Sequence, residues 1–404
     1  MHLLEKLAIK GGKPLRKRPF PSWPTFGKGE GKALLEVLNS GKWGIGGSKN
    51  AEFSRAYAKW LGVKRVVTCT NGTAALEIAL RAVGVSPADE VIVPAYTFVA
   101  TASSVLSIGA VPVFADIEQD TYMIDPGSIE GAITPKTKAV IPVHIGGAPA
   151  NMDAIITIAR EHDLRVIEDA AQAHGAEWKG VRIGGMSDMA IFSFQSSKNL
   201  TSGEGGALST NNEELGEDAW SIMNCGRRKD RQWYEHFILG SNFRMTEFQA
   251  AILLKQLPKV EGQMKVRERN AAHLAKRLSE VEGIAPLKTY PGVTRHAYHL
   301  FIMRYDKNAF GGLHKSKFVE AMNKEGIPLA PGYTVSLHEL PAIRNYKLPY
   351  VNLDYMRTNL PVTENACKEE GIWFHQSVLL GTKKDMDDIA DAMLKIRRHY
   401  KELL

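Results

Sequence analysis

Leu164-Arg-Val-Ile-Glu-Asp169-Ala-Ala-Gln172-Ala-His-Gly175 is an apolar run that ends in a carboxylate and breaks at once into small residues. Such a run reads as a buried strand over Arg165 to Glu168, which puts Asp169 at its carboxyl end. Similar runs stand on either side of it at Arg65 to Thr70, Glu90 to Val93, Val111 to Ala115, Ala139 to Val143, Ala190 to Phe194 and Ala207 to Ser209. Between them, Thr73 to Val83, Thr97 to Ile108 and Met152 to His162 have helical composition and length. The alternation predicts an α/β fold built on a mostly parallel, seven-stranded sheet covered on both faces. Functional side chains are then expected at the carboxyl ends of its strands.

Outward from this core the chain changes character twice. Residues 1–30 are rich in Pro, Gly and basic residues and end Arg18-Pro-Phe-Pro-Ser-Trp23-Pro24, which predicts an ordered amino-terminal arm rather than a helix. Residues 31–265 are expected to form the large domain. A long helical stretch, Thr246 to Val281, leads into a mixed region, and residues 266–404 are expected to form a smaller carboxyl-terminal α/β domain. Its last helix has a capping-box start at Thr382 and Asp385, and Met386, Ile389, Met393, Ile396 and Tyr400 follow as a packing stripe.

The 404 residues are 44% hydrophobic and 24% charged, an ordinary globular composition that excludes a disordered or fibrous chain. The net charge of +7 suits anionic small molecules or merely a solvated surface. Nucleic acid is not expected, because Arg16-Lys17-Arg18 and Arg227-Arg228-Lys229-Asp230-Arg231 lack interleaved aromatics and any helix-turn-helix pattern. Cys69, Cys225 and Cys367 lack metal-binding or disulfide spacing, so no metal is expected and a reducing cytoplasm fits best. The opening Met-His-Leu-Leu-Glu-Lys-Leu-Ala-Ile-Lys-Gly-Gly has no long apolar core, and no uncharged run is long enough to cross a membrane.

The chemistry gathers around Lys198, in Ser193-Phe-Gln-Ser-Ser-Lys198-Asn-Leu-Thr-Ser-Gly-Glu-Gly-Gly206. Taken alone it is a solvated lysine in a glycine-rich turn. Beside Asp169 it reads as an amine for Schiff-base chemistry with pyridoxal phosphate, which needs a lysine partly deprotonated and held in place. Asp169 would face the pyridinium nitrogen and keep it protonated, and Gln172 could contact the ring oxygen. Thr70-Asn71-Gly72-Thr73-Ala74 joins a strand to a helix, so the amides of Gly72, Thr73 and Ala74 offer an anion pocket to which Ser193 could add a hydroxyl. By itself that stretch is as readily a plain helix cap. Phe98 offers an aromatic face at the same end of the sheet, with core packing as its ordinary alternative.

In this order, Asn71-Gly-Thr-Ala-Ala-Leu76, Tyr96-Thr-Phe-Val-Ala-Thr101, Glu168-Asp-Ala-Ala-Gln-Ala-His-Gly-Ala176 and Lys198 before Gly203-Glu-Gly-Gly206 resemble the DegT/DnrJ/StrS sugar aminotransferases. The resemblance continues through Gly240-Ser-Asn-Phe-Arg-Met245 and Tyr298-His-Leu-Phe301 to Tyr333 and His338. It implies a type I aminotransferase fold and an obligate homodimer with pyridoxal phosphate on Lys198. Asp169, Gln172 and Phe98 would then hold the ring, and Gly72, Thr73 and Ser193 the phosphate. Asn242 would reach the phosphate of the partner subunit, so that active sites are shared. The arm and Asn224-Cys-Gly-Arg-Arg228 resemble members acting on keto-cyclitols and the aminohydroxybenzoate synthases, with glutamine as donor where many relatives use glutamate. Arg227, Arg228 or Arg244 could bind the donor carboxylate, with a solvated face as the alternative for the arginine pair. Tyr333 and His338 are the other candidate substrate contacts. Pro142-Val-His-Ile-Gly-Gly147 departs from the His-Leu-Tyr-Gly of many sugar-nucleotide members. His144 sits there at a strand end, near the cofactor face or as a hydrogen-bonded core residue. The implied activity is amine transfer from glutamate or glutamine to a keto-sugar or keto-cyclitol. The rivals are an aminohydroxybenzoate synthase, a cofactor-dependent sugar dehydratase, against which Lys198 argues, and a regulatory DNA-binding relative.

Overall fold

The computed structural model describes residues 5–351, 354–355 and 358–404; Met1 to Leu4 of the opening stretch lie outside the described residues. After the arm, the chain enters α1 (Lys28–Ser40) and α2 (Lys49–Leu61). It then alternates through β1 (Arg65–Cys69), α3 (Gly72–Ala82), β2 (Glu90–Pro94), α4 (Ala100–Ser107), β3 (Val111–Ala115), α5 (Pro126–Ala132), β4 (Thr137–Val140), α6 (Met152–Glu161) and β5 (Arg165–Asp169). The short strands β6 (Glu177–Trp178) and β7 (Val181–Arg182) precede β8 (Met189–Ser193), β9 (Gly206–Thr210) and α7 (Glu213–Met223). The remainder comprises α8 (Glu247–Gln256), α9 (Val260–Leu278), β10 (Ile284–Pro286), β11 (Val293–Arg295), β12 (Leu300–Tyr305), α10 (Lys315–Lys324), α11 (Pro341–Arg344), α12 (Pro361–Asn365), β13 (Gly371–His375) and α13 (Lys383–His399).

Seven strands form the main sheet in the order β1-β9-β8-β5-β4-β2-β3. Only β9 runs antiparallel to its neighbours; the other pairs are parallel. Successive side chains leave a strand on opposite faces, so a run buried throughout must serve two cores. Val91 and Val93 enter one hydrophobic cluster while Ile92 enters the other, and Ile167 and Val166 divide in the same way. The mostly parallel seven-stranded sheet is thus the predicted one.

The expected helical stretch from Thr246 is two helices. Thr246 caps α8 through a capping box with Gln249, and the turn Leu257–Lys259 separates α8 from α9. Pro258 sits in that turn and has no N–H to donate to the preceding helical turn. Beyond it, β10, β12 and β13 form an antiparallel sheet whose apolar side chains share a third cluster with α9, α10 and α13. At the start of α13 the Asp385 amide donates to Thr382 Oγ1 (3.3 Å) and the Thr382 amide donates to Asp385 Oδ2 (2.6 Å), the predicted capping box. Met386, Ile389, Met393 and Ile396 are fully buried, and Tyr400 lies edge-on to Phe310.

The arm is fastened to this same region. Glu325, itself buried and paired with Lys395 (2.9 Å), accepts the amides of Ala8 (2.8 Å) and Leu15 (2.9 Å). Arg16 is buried and donates to Asp385 (2.7 Å) and Asp388 (2.8 Å). All three cysteines are free; Cys69 and Cys367 are buried and Cys225 is half-buried. Among the described residues no helix is long and apolar enough to cross a membrane.

Candidate active site

The carboxyl ends of β1, β2, β5 and β8 open into a cavity of about 790 Å³. Lys198, Asp169, Gln172, Gly72, Thr73, Phe98, Ser193 and Tyr333 all line it. Residues far apart in sequence meet there because every crossover returns the chain to the same end of the sheet.

At the β1–α3 turn, Asn71 is extended and its Oδ1 accepts the Ala74 amide at 2.8 Å. That bond removes Ala74 from the expected anion pocket. The amides of Gly72 and Thr73 have no acceptor among the described residues and remain for an anion. Gly72 is required for shape, since a Cβ there would stand 2.9 Å from Ser193 Cβ. Ser193 Oγ accepts the Gln195 amide (3.3 Å), which leaves its O–H to donate.

Asp169 is buried at the end of β5. Its Oδ2 accepts from Thr101 Oγ1 (2.9 Å) and its Oδ1 from the Ala171 amide (3.2 Å). Burial pushes the carboxyl above its ordinary range, while Thr101, Ala171 and the charges of Lys198 and His144 pull it back. A buried carboxylate in that condition favours a cationic N–H partner. Gln172 is held by the Gly146 amide, which donates to its Oε1 at 2.7 Å, so its amide nitrogen is left to donate. Tyr333 stands edge-on between Tyr96 (5.2 Å) and Trp373 (5.0 Å). Phe98 is 58% exposed, so its ring is uncovered on the cavity side.

Lys198 lies on the irregular segment between β8 and β9. Burial lowers its ammonium to about 8, against the pull of Asp169. Two buried histidines flank it electrostatically. His174 Nε2 donates to the Ser193 carbonyl (2.8 Å), which fixes the tautomer and lets Nδ1 accept from Tyr57 (2.9 Å). Burial takes His174 down to about 4 and His299 well below its ordinary range, so both are neutral near Lys198 at pH 7. His144 is the hydrogen-bonded core residue: its Nδ1 accepts the Ala150 amide (3.0 Å) and its Nε2 faces Glu168 (3.2 Å).

Four expected site residues lie elsewhere in this chain. Arg227 and Arg244 line a second cavity of about 640 Å³ together with Arg228, Lys229 and Arg231. Arg227 lies over Trp233 (4.1 Å), and Arg244 donates to Asn224 Oδ1 (3.0 Å) and contacts Cys225 Sγ (3.4 Å). Asn242 is exposed and bridges to Asn224. His338 is buried away from the cavity, with Nδ1 on Ser336 (2.7 Å) and Nε2 3.5 Å from Glu364. Its neighbours Glu339 and Glu364 could join it around a cation, but the Lys368 ammonium already bonds both (2.9 and 3.3 Å).

Thr101, His299, Trp373 and His375 were not singled out by the sequence, yet Thr101 holds Asp169 and the other three line the cavity. For Thr101 a signal existed: Thr97 and Thr101 stand four apart in an apolar stretch, and both are buried.

The sequence pattern of the DegT/DnrJ/EryC1/StrS aminotransferase family matches residues 24–394. The L-glutamine:2-deoxy-scyllo-inosose aminotransferase of Streptoalloteichus tenebrarius is 40% identical over 422 residues, covering 98% of this chain and 99% of that protein. A protein of the same description from Streptomyces paromomycinus is 38% identical over 420 residues, covering 98% and 99%. The crystal structure of 3-amino-5-hydroxybenzoic acid synthase superposes with a TM-score of 0.86 at 34% identity, covering 95% of this chain and 100% of that one.

Proposed function

The chain belongs to the DegT/DnrJ/EryC1/StrS aminotransferase family, and we propose that it moves the amino group of glutamine to a keto-cyclitol with pyridoxal phosphate as cofactor. The observation that carries the reading is an amine of lowered proton affinity, Lys198, in one cavity with a buried carboxylate and two unpaired amides. The donor set fits this cofactor. Gly72, Thr73 and Ser193 would hold its phosphate, Asp169 its ring nitrogen, Gln172 its ring oxygen, Phe98 its face and Lys198 its aldehyde carbon. When bound, the group supplies an electron sink for the pair left as the substrate's Cα proton departs.

The chain's own residues then do the positioning and the proton transfer. Asp169 keeps the ring nitrogen protonated through its charge, and Thr101 and Ala171 keep Asp169 aimed. Lys198 near its half-protonated point serves both as base at Cα and as acid at the neighbouring carbon. His174 and His299, held neutral, add no full charge that would oppose protonation of Lys198. The Tyr333 and Trp373 rings form an apolar wall suited to the C–H face of a cyclitol.

Among the described lining residues Lys198 is the sole Lys or Arg, so the donor carboxylate needs a cation from elsewhere. We assign this to the partner subunit of a homodimer, through Arg227 or Arg244, with Asn242 reaching the partner's phosphate. Mixing inactive Asn242→Ala and Lys198→Ala chains should then restore about a quarter of wild-type activity, as random reassortment of two one-site defects predicts. No recovery on mixing would remove the shared site.

The reading is tested by half-reactions. Glutamine alone should convert the cofactor to its amine form, read as loss of its long-wavelength absorbance, and a scyllo-inosose ketone should reverse the change and yield an aminocyclitol. If a sugar-nucleotide ketone restores the absorbance and the cyclitol does not, the acceptor class is wrong. The likeness to 3-amino-5-hydroxybenzoic acid synthase makes an aromatising reaction the second reading, and an aromatic product from an amino-shikimate-type precursor would favour it.

A further inference from the structure

The two peptide carbonyls that precede Lys198 are gripped by residues remote in the sequence. The indole Nε1–H of Trp23, on the amino-terminal arm, donates to the Ser196 carbonyl at 2.9 Å. Gln376, just past β13, points its amide nitrogen at the Ser197 carbonyl at 3.5 Å. The other end of that same amide is fixed by Arg267 of α9, whose Nε donates to Gln376 Oε1 at 3.0 Å and whose Nη2 also bonds it. The Arg267 guanidinium in turn lies under the Trp23 ring, 5.4 Å from its centroid. Trp23, Arg267 and Gln376 therefore close into one unit with two contacts on the lysine segment.

Arg267 is the unusual member. It is fully buried, no carboxylate bonds it, and its Nη1 has no partner among the described residues. A buried cation in that condition is costly, and burial lowers its proton affinity to about 9. What it does hold is the orientation of Gln376 and the floor under Trp23. The arm that carries Trp23 is itself anchored by Arg16 on α13 and by Glu325 after α10, so the grip on Ser196 has a fixed base.

We propose that Trp23 and Gln376, joined through Arg267, are positioning residues that fix the backbone of Lys198 and so keep its amine in the buried pocket beside Asp169. Without the clamp, the segment between β8 and β9 still folds on its own bonds: Gln195 Oε1 accepts from Ser197 N and Oγ (both 2.8 Å), and the Phe194 carbonyl accepts from Thr201 Oγ1 (3.0 Å). What changes is the placement and burial of Nζ. The charge that acts on that amine is Asp169 from β5, while His174 from the turn that follows and His299 before β12 stand beside it as neutral rings.

The inference rests on Lys198 as the reacting amine, and its test includes a readout that needs no turnover. In the full-length chain before cofactor is added, acetic anhydride labelling across pH, read by the mass of the Lys198 peptide, gives the amine's titration midpoint. Trp23→Phe keeps the ring over Arg267 and loses only the N–H donor; Gln376→Met loses the second contact. In each, the midpoint should rise by about half a pH unit or more as Nζ gains solvent. In the loaded enzyme kcat should fall about tenfold, with KM for glutamine changed less than about twofold. Unmoved midpoints in both variants would overturn the clamp, whatever happens to kcat. A wild-type chain that fails to transaminate would instead remove the functional reading and leave the clamp to be decided by the midpoint.

Discussion

Lys198→Ala loses amine transfer, with kcat/KM lower by roughly 10⁴-fold, the upper end of what a positioned acid–base group contributes, since the same amine also serves as the covalent anchor. Borohydride reduction of the wild-type chain loaded with cofactor should leave the added mass on the peptide containing Lys198, and the variant should carry none. Unfolding will not explain the loss. The folded chain holds the Lys198 proton less tightly than the unfolded chain does, so burial of the ammonium costs stability below about pH 8. That cost is relieved as pH rises from about 8 towards the ordinary lysine value near 10.5, because in this window the unfolded state binds more protons. At pH 7 the alanine variant should therefore melt no lower than wild type. Retained turnover, or a mass tag on another lysine, would end the assignment.

Asp169→Asn is the second large effect. Asparagine keeps the shape and one acceptor: its carbonyl oxygen can take the Ala171 amide that Oδ1 accepts at 3.2 Å, while its –NH2 stands where Oδ2 accepted from Thr101 (2.9 Å) and can only donate to that hydroxyl. The charge is what disappears. Without it the ring nitrogen has no reason to stay protonated, and the electron sink weakens; kcat should fall on the order of 10²-fold or more, with faster loss of cofactor on dialysis. Thr101→Val separates aim from charge: it removes one hydrogen bond from a buried carboxylate and should cost much less, about tenfold. Near-normal kcat for the asparagine variant would take Asp169 out of the mechanism.

Most of the sheet was legible because its strands are buried on both faces and therefore appear as continuous apolar runs. Val111 to Ala115 matches β3 at both ends, and β1, β5 and β8 differ from the expectation by single residues. The fourth strand is the exception. The expected Ala139 to Val143 is observed as Thr137–Val140, because Pro142 has no N–H for the ladder, and Val143 is left as a lone bridge to Asp169. Pro258, equally visible, divides the long helical stretch. Within the site, the side chains carried by the strand ends and turns of the sheet were readable from local pattern. The clamp on Ser196 was not, since Trp23 lies 173 residues away and nothing local to either residue announces the other. Arg227, Arg244 and Asn242 sit outside this chain's cavity, and the roles proposed for them rest on a second copy that no local sequence pattern describes.

The thiols of Cys69 and Cys367 are sealed in apolar surroundings and pushed up to about 12, inert to alkylating dyes at neutral pH. Cys225, half-buried and in contact with Arg244, is the remaining thiol. A maleimide fluorophore would thus attach at one native position on the arginine-lined face, giving an optical gauge of whether a second molecule covers that face, with no residue added or removed.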